Sequence, residues 1–149
     1  MSLTLEVEYA RLDPDAMVPT KGSLQAAGWD LYSLEESMVK KGESTMIRTG
    51  LAVAIPEGWE GQIRCRSSLG KKGMIMPNGI GTIDSDYRGE IMVLATWIGK
   101  GNTFVIQKGE RIAQMLFAQV PKTEFVEKEY EQLGITSRGE GGFGSSGRF

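Results

Sequence analysis

The sequence predicts an all-β fold, a sandwich or jelly roll of antiparallel strands in one domain. Short apolar–polar alternations recur along the chain, turn residues separate them at even spacing, and no amphipathic helix exceeds a turn or two. Twenty glycines among 149 residues, against about 7% in an average chain, suit many tight turns. That length is enough for a single core.

Taken in order, Leu3–Tyr9 sets Leu3, Leu5, Val7 and Tyr9 against Thr4, Glu6 and Glu8, which is period two. Further strands are expected at Thr45–Ile55, Gly61–Arg66, Glu90–Trp97, Asn102–Gln107, Arg111–Val120 and Phe125–Tyr130. Pro-Glu-Gly, Lys-Gly-Asn and Lys-Gly-Glu triplets mark turns between them. The composition breaks only after Thr136, so residues 1–136 are expected to form the domain and residues 137–149 a flexible arm.

The arm, Ser137 to Phe149, holds five glycines and no aliphatic side chain. It cannot bury enough apolar surface to offset its ordering entropy. Phe143, Arg138, the adjacent Ser145 and Ser146 and free backbone amides would nonetheless suit an anion-binding flap over a nucleotide. A disordered tail fits the same composition. Gly139-x-Gly141-x-x-Gly144 matches a dinucleotide fingerprint, but no strand precedes it and no helix can follow.

Composition removes whole classes of function. The formal net charge of −2 argues against non-specific nucleic-acid or membrane-surface binding, which needs a basic face. One cysteine leaves no disulfide framework, and a reducing, cytoplasmic location is expected. The chain opens without a charged-then-apolar leader, and Ile91–Ile98 is too short to span a bilayer. With no histidine, imidazole-based nucleophiles and metal sites are excluded. Acid–base chemistry falls to Asp, Glu, Lys or Tyr.

Strand alternation puts Ile63 and Cys65 on one face and Arg64 and Arg66 on the other. Cys65 reads as a small core residue. Ser67-Ser-Leu-Gly70 reads as a helical turn with Ser67 as N-cap and Arg66 alongside. Such a turn binds phosphate, though an ordinary capped turn fits the spacing equally. Gly79 to Glu90 carries the most pointed chemistry, with Asp84 and Asp86 flanking a serine and Tyr87 following. On a strand the two carboxylates would share a face, serving a hydrolytic water or a metal. An Asx-rich turn satisfies the same pattern.

Five segments, in order, resemble the five motifs of the trimeric deoxyuridine triphosphate nucleotidohydrolases, the dUTPases. They are Ala27-Gly-Trp-Asp-Leu-Tyr-Ser33, Arg66-Ser-Ser-Leu-Gly70, Asn78 to Gly89, Gly109-Glu-Arg-Ile-Ala-Gln114 and Arg138 to Gly147. The resemblance covers Leu24 to Arg148, and the third and fifth motifs together are highly specific. It implies a distorted jelly roll of the β-clip barrel type with a flexible C-terminal flap. It also implies a C3 homotrimer with sites at subunit interfaces, each tail closing over a neighbour's site. The implied reaction converts dUTP to dUMP and pyrophosphate, which lowers dUTP and supplies dUMP for thymidylate synthesis.

Residue by residue, Asp84 resembles the carboxylate that activates the attacking water and meets the 3′-hydroxyl. Tyr87 resembles the floor beneath the deoxyribose that leaves no room for a 2′-hydroxyl. Asn78, Thr82, Ile83 and Met92 match the hairpin that receives uracil. There, backbone groups would meet cytosine donor against donor, discrimination that can reach about 10⁴-fold. Arg66, Ser67 and Ser68 resemble the phosphate-contacting second motif, with Ser68 where the family commonly has glycine. Gln114 matches a position that reaches phosphates or water from another subunit.

Asp30 looks like the aspartate that contacts hydrated Mg²⁺, a cofactor held mainly by triphosphate oxygens and water. Phe143 would stack on uracil, while Arg138 and the amides around Gly144, Ser145 and Ser146 would grip the outer phosphates. Trp29 reads as a core or interface aromatic, and methionines other than Met92 as packing. A dCTP deaminase of the same fold is the alternative enzyme, and a nucleotide-sensing regulatory trimer the alternative outside catalysis. Tyr87 and the complete fifth motif favour the hydrolase.

Overall fold

The structure, a computed structural model, describes residues 4–149. Leu3, at the head of the expected first strand, lies outside the described residues. Eleven strands and one short helix follow in the order β1 (Glu8–Arg11), β2 (Trp29–Tyr32), β3 (Ser37–Lys40), β4 (Thr45–Arg48), β5 (Leu51–Ala54), β6 (Trp59–Cys65), α1 (Ser67–Lys72), β7 (Met74–Ile75), β8 (Gly81–Ile83), β9 (Met92–Trp97), β10 (Thr103–Ile106) and β11 (Arg111–Gln119). A single 3₁₀ turn, Tyr130–Leu133, comes after them. The all-β, jelly-roll-type expectation holds.

Strands pair antiparallel in the orders β2-β11-β6-β8, β4-β9-β7, β1-β5 and β3-β10. These pairings leave the sheets open and close no barrel among the described residues. Period-two patterning decides which face is buried: Val93, Ala95 and Trp97 point inward from β9, and Gly61 and Ile63 from β6. They meet Leu31, Val39, Ile47, Ile91, Ile106, Ile112 and Met115 in one core. Each fully buried aliphatic there contributes about 1.5–3 kcal/mol. Phe104 stacks on Trp97 at 4.6 Å between ring centres, flanking that core.

Several boundaries depart from the sequence expectation. Thr45–Ile55 is two strands, because Gly50 takes φ +71° and packs against Ala16 and Leu34, while the Thr49 hydroxyl donates to the Ile91 carbonyl at 2.6 Å. The first strand begins at Glu8, leaving Leu5 and Val7 half-buried but unpaired. Glu90 and Ile91 fall outside β9, with the Ile91 N–H donating to the Leu51 carbonyl at 2.7 Å. Strands β2, β3, β7 and β8 are too short for periodicity to reveal.

The largest departure is Phe125–Tyr130, which forms no strand. Every residue from 121 to 140 is exposed, Phe125 fully so at 103%. Phe125, Val126 and Tyr130 favour a strand by propensity, but the segment pairs with no sheet edge among the described residues, and propensity without a partner does not make a strand.

Candidate active site

At one end of the central sheet, β2, β11 and β6 bring three of the motif residues together. Asp30 lies across from Gln114, and Gln114 across from Arg64. A register shift between Arg111 and Ala113 bends β11 there and re-aims its side chains. The Asp30 carboxylate, 16% exposed, sits between Arg66 Nε at 3.5 Å and Arg111 Nη1 at 3.7 Å. Arg66 Nη1 also donates to the Arg111 carbonyl at 3.2 Å. Gln114 Nε2 donates to the Cys65 carbonyl at 3.2 Å, and its side chain lies against Gly28, where a Cβ would come within 3.0 Å of Gln114 Cβ. Only glycine permits that approach.

Helix α1 starts directly beyond Arg66. Ser67 is not its N-cap: Arg66 keeps extended backbone (φ −82°, ψ 136°), and its carbonyl accepts the Gly70 N–H at 3.0 Å. Ser67 therefore already lies inside the helix, and no side chain caps it. The Ser67 and Ser68 side chains are exposed beside Arg66, while Leu69 anchors the turn in the core. Cys65 is half-buried against the core, as its strand face requires. Arg64 points outward and donates to Gln62 Oε1 at 2.7 Å.

The second group of residues lies on the hairpin after α1. Asn78 forms the turn between β7 and β8, with Thr82 opposite Gln62 and Ile83 packed on the core. Strand β8 ends at Ile83, so Asp84 and Asp86 occupy a turn and not one strand face. The Asp84 carbonyl accepts the Tyr87 N–H at 3.1 Å, and the Tyr87 hydroxyl donates to the Glu90 carbonyl at 2.9 Å. The ring lies so close over Gly89 that a Cβ would stand 2.6 Å from Tyr87 Cζ. Asp84 and Asp86 line an open groove with Trp59, Glu60, Val120 and Lys122. Met92 is half-buried at the start of β9, opposite Arg48.

Glu90 is itself clamped. Arg48 Nε donates to its Oε2 at 3.0 Å and Nη2 to its Oε1 at 2.9 Å. The hydrogen bond to Glu90, then its charge, raises the Arg48 guanidinium above its ordinary pKa. Motif reasoning singled out neither Arg48 nor Glu90, nor Arg111. Arg48 lies 42 residues from Glu90 in sequence, beyond any local pattern.

Within one chain the two groups stay apart. Ile83 pairs with Gly61 and Gly81 with Ile63, so Asp84 leaves the sheet at the Glu60 end of β6 while Arg66 follows its other end. Six residues of strand at about 3.3 Å each separate the two levels by about 20 Å. Among the described residues no hydrogen bond or ion pair joins the arm to either group. Arg138 Nε donates to the Gly141 carbonyl at 2.7 Å, and Phe143, at φ +50°, is fully exposed, as are Gly144, Ser145 and Ser146 in part or whole. No three or more Cys, Asp and Glu side chains among the described residues converge as a metal cage.

Comparison with known proteins gives a consistent result. The family described as dUTPase matches residues 15–147. The chain is 47% identical over 146 residues to the deoxyuridine 5′-triphosphate nucleotidohydrolase of Nautilia profundicola, covering 97% of this chain and all of that protein. It is 43% identical over 151 residues to the enzyme of the same name from Mycobacterium leprae, covering 99% and 97%. Among solved structures, a Staphylococcus bacteriophage 80alpha dUTPase with dUPNHPP superposes with a TM-score of 0.84 at 28% identity, covering 97% of this chain and 100% of that one. A family match that spans both groups of site residues and the arm, with full-length relatives of one name, establishes that this chain belongs to the dUTPase family.

Proposed function

We propose that this chain hydrolyses dUTP to dUMP and pyrophosphate with Asp84 as the activating carboxylate. The observation that carries the reading is the turn from Asp84 to Glu90, in which the Asp84 main-chain carbonyl accepts the Tyr87 N–H, the Asp84 side chain faces solvent and the Tyr87 ring lies over Gly89. Asp84 accepts a proton from water as the water oxygen bonds to the α-phosphorus. The bond from that phosphorus to the bridging oxygen breaks, and pyrophosphate leaves with the electron pair. Tyr87 packs beneath the deoxyribose, and the hairpin with Asn78, Thr82, Ile83 and Met92 receives uracil.

Arg66, Ser67, Ser68 and Gln114 meet the phosphates, the Ser67 hydroxyl donating to the bridging oxygen as it gains charge. The site is completed between subunits of a homotrimer. What supports this is the separation of about 20 Å along β6 between the Asp84 and Arg66 levels, which one dUTP bound to a single chain would not bridge in the required way. Residues 137–149 act as the closing arm on a body of residues 1–136, with Phe143 stacked on uracil and Arg138, Gly144, Ser145 and Ser146 around the outer phosphates.

Asp30 fits an outer contact to Mg²⁺ rather than a direct ligand, because two arginines already flank its carboxylate. A hydrated Mg²⁺ on the triphosphate would neutralise charge and favour departure of pyrophosphate. Among the described residues no helix is long and apolar enough to cross a membrane, and a cytoplasmic location suits the lone cysteine.

Pyrophosphate release from dUTP, dCTP, dTTP and UTP with Mg²⁺ tests the reading. The expected result is turnover confined to dUTP. Ammonia release from dCTP would identify a deaminase instead, and nucleotide binding without turnover a regulatory trimer.

A further inference from the structure

Arg48 lies outside every group assigned to substrate, yet its side chain is committed to the residue on which Tyr87 rests. Both oxygens of the Glu90 carboxylate, only 9% exposed, are held by Arg48. The main-chain carbonyl of the same Glu90 accepts the Tyr87 hydroxyl. The next residue is pinned twice to the link between β4 and β5: the Ile91 N–H bonds the Leu51 carbonyl, and its carbonyl accepts the buried Thr49 hydroxyl. Between that pinned point and Tyr87 stand only Arg88, Gly89 and Glu90, and Gly89 alone offers little resistance to rotation.

We infer that Arg48 is a positioning residue for sugar selection, fixing through Glu90 the carbonyl that anchors the Tyr87 hydroxyl and so the height of the ring beneath the sugar. The inference rests on the reading of Tyr87 as the floor that excludes a 2′-hydroxyl. Two parallel N–H···O bonds hold a carboxylate in one orientation, which a single ammonium contact does not do. A steric filter discriminates only while its wall stays in place. If the Glu90 carboxylate is released, the peptide carrying this carbonyl is held only on its Ile91 N–H side, and the ring can yield to the extra hydroxyl by rotation at Gly89 and Glu90.

The test compares kcat and KM for dUTP and UTP in the full-length protein and in Arg48→Met, Arg48→Lys, Tyr87→Phe and the Arg48→Met/Tyr87→Phe double variant. Arg48→Met is expected to lower the dUTP/UTP ratio of kcat/KM about tenfold, chiefly through KM. Arg48→Lys should fall between it and the parent. Tyr87→Phe, which lacks the hydroxyl, should lower the ratio too. The double variant should be no worse than the more affected single one, because both changes act through the same carbonyl.

Asp15→Asn, which removes the exposed Lys108–Asp15 pair elsewhere on the surface, should leave the ratio unchanged. An unchanged ratio in Arg48→Met, additive effects in the double variant, or an equal fall in Asp15→Asn would overturn the inference. Should Arg48→Met fail to fold, Arg48→Lys and Glu90→Gln carry the same comparison. Tyr87→Ala separates the two readings: if it leaves the ratio unchanged, the floor itself is misassigned. If it shifts the ratio and the Arg48 variants do not, only the role of Arg48 is wrong.

Discussion

Between Glu8 and Gln119 the backbone bonds to partners distant in sequence, whereas after Pro121 it bonds only to its neighbours. Strand β11 pairs with β6 over seven residue pairs and with β2 on its other side. After Pro121, among the described residues, each hydrogen bond closes within ten positions: Gly141 to Arg138, Ser145 to Gly142, Gly147 to Gly144, and Tyr130 to Glu140 at the longest. The sheets up to Gln119 bury a core of apolar side chains, and the chain after Pro121 exposes Phe125, Ile135 and Phe143 completely. Local bonds between exposed groups compete with water on nearly equal terms, so the arm adds little to folding. Its chemistry is free to be used against a ligand. Stability is thus placed in the body, and the proposed closing role in a part of the chain that contributes little to it.

The contrast can be broken most severely at Asp84, a body residue with an arm-like exposure. Asp84→Asn should leave the thermal midpoint unchanged and lower kcat about 10²–10⁴-fold, the usual worth of a positioned base. Calorimetry and pyrophosphate release measure the two effects on one sample. Near-parental turnover would remove Asp84 from the chemistry.

Truncation after Thr136 is the next largest change. The thermal midpoint should hold, while kcat/KM for dUTP falls about 10²–10³-fold, as when preorganised donors to a developing charge are lost. A large drop in midpoint would show that the arm is part of the fold after all. Refolding truncated subunits together with Asp84→Asn subunits sharpens the point. Activity should return in mixed trimers if an intact Asp84 site is closed by a neighbour's arm. No recovery, with mixed trimers confirmed by mass, would mean that each arm serves its own subunit.

Inside the body the reverse pattern is expected. Ile63→Ala, at a residue 1% exposed in the core, should cost about 2–5 kcal/mol of stability in urea unfolding, with kcat little changed at temperatures where the variant stays folded. Phe143→Ala is the smallest of the four and its mirror image. It should weaken dUTP binding by about 1–3 kcal/mol, the worth of a base–aromatic stack, and leave the urea midpoint where it was. A shifted midpoint in Phe143→Ala would show that the ring packs on the body.

Much of this molecule could be read before it was folded. Alternation in Glu90–Trp97 and Arg111–Val120 located two long strands to within two residues, because a strand with one buried face must repeat every second position. For Asp84 and Asp86 the Gly79–Glu90 segment allowed either one strand face or an Asx-rich turn, and β8 ends at Ile83, so the turn is what forms. Phe125–Tyr130 shows the limit of the same logic. Its β-prone residues Phe125, Val126 and Tyr130 favour a strand locally, but Glu127, Lys128 and Glu129 break any alternation, and the segment pairs with no sheet edge among the described residues. Ser67 failed as an N-cap for a related reason: Arg66, directly after the last β6–β11 pair at Cys65, keeps an extended backbone, and that shifts the helix start by one residue.

What the sequence determined by itself was local: the period of each strand, the turns, the absence of imidazole chemistry and the motifs that mark a dUTPase. Tertiary structure alone decided which of those residues meet. The bend of β11 beside Asp30, the clamp of Arg48 on Glu90 across 42 positions, and the separation of Asp84 from Arg66 along β6 all follow from strand register. Register is set by how whole faces pack, since a slip of one residue would turn every buried side chain outward. That choice belongs to the assembled core, and no segment carries it alone.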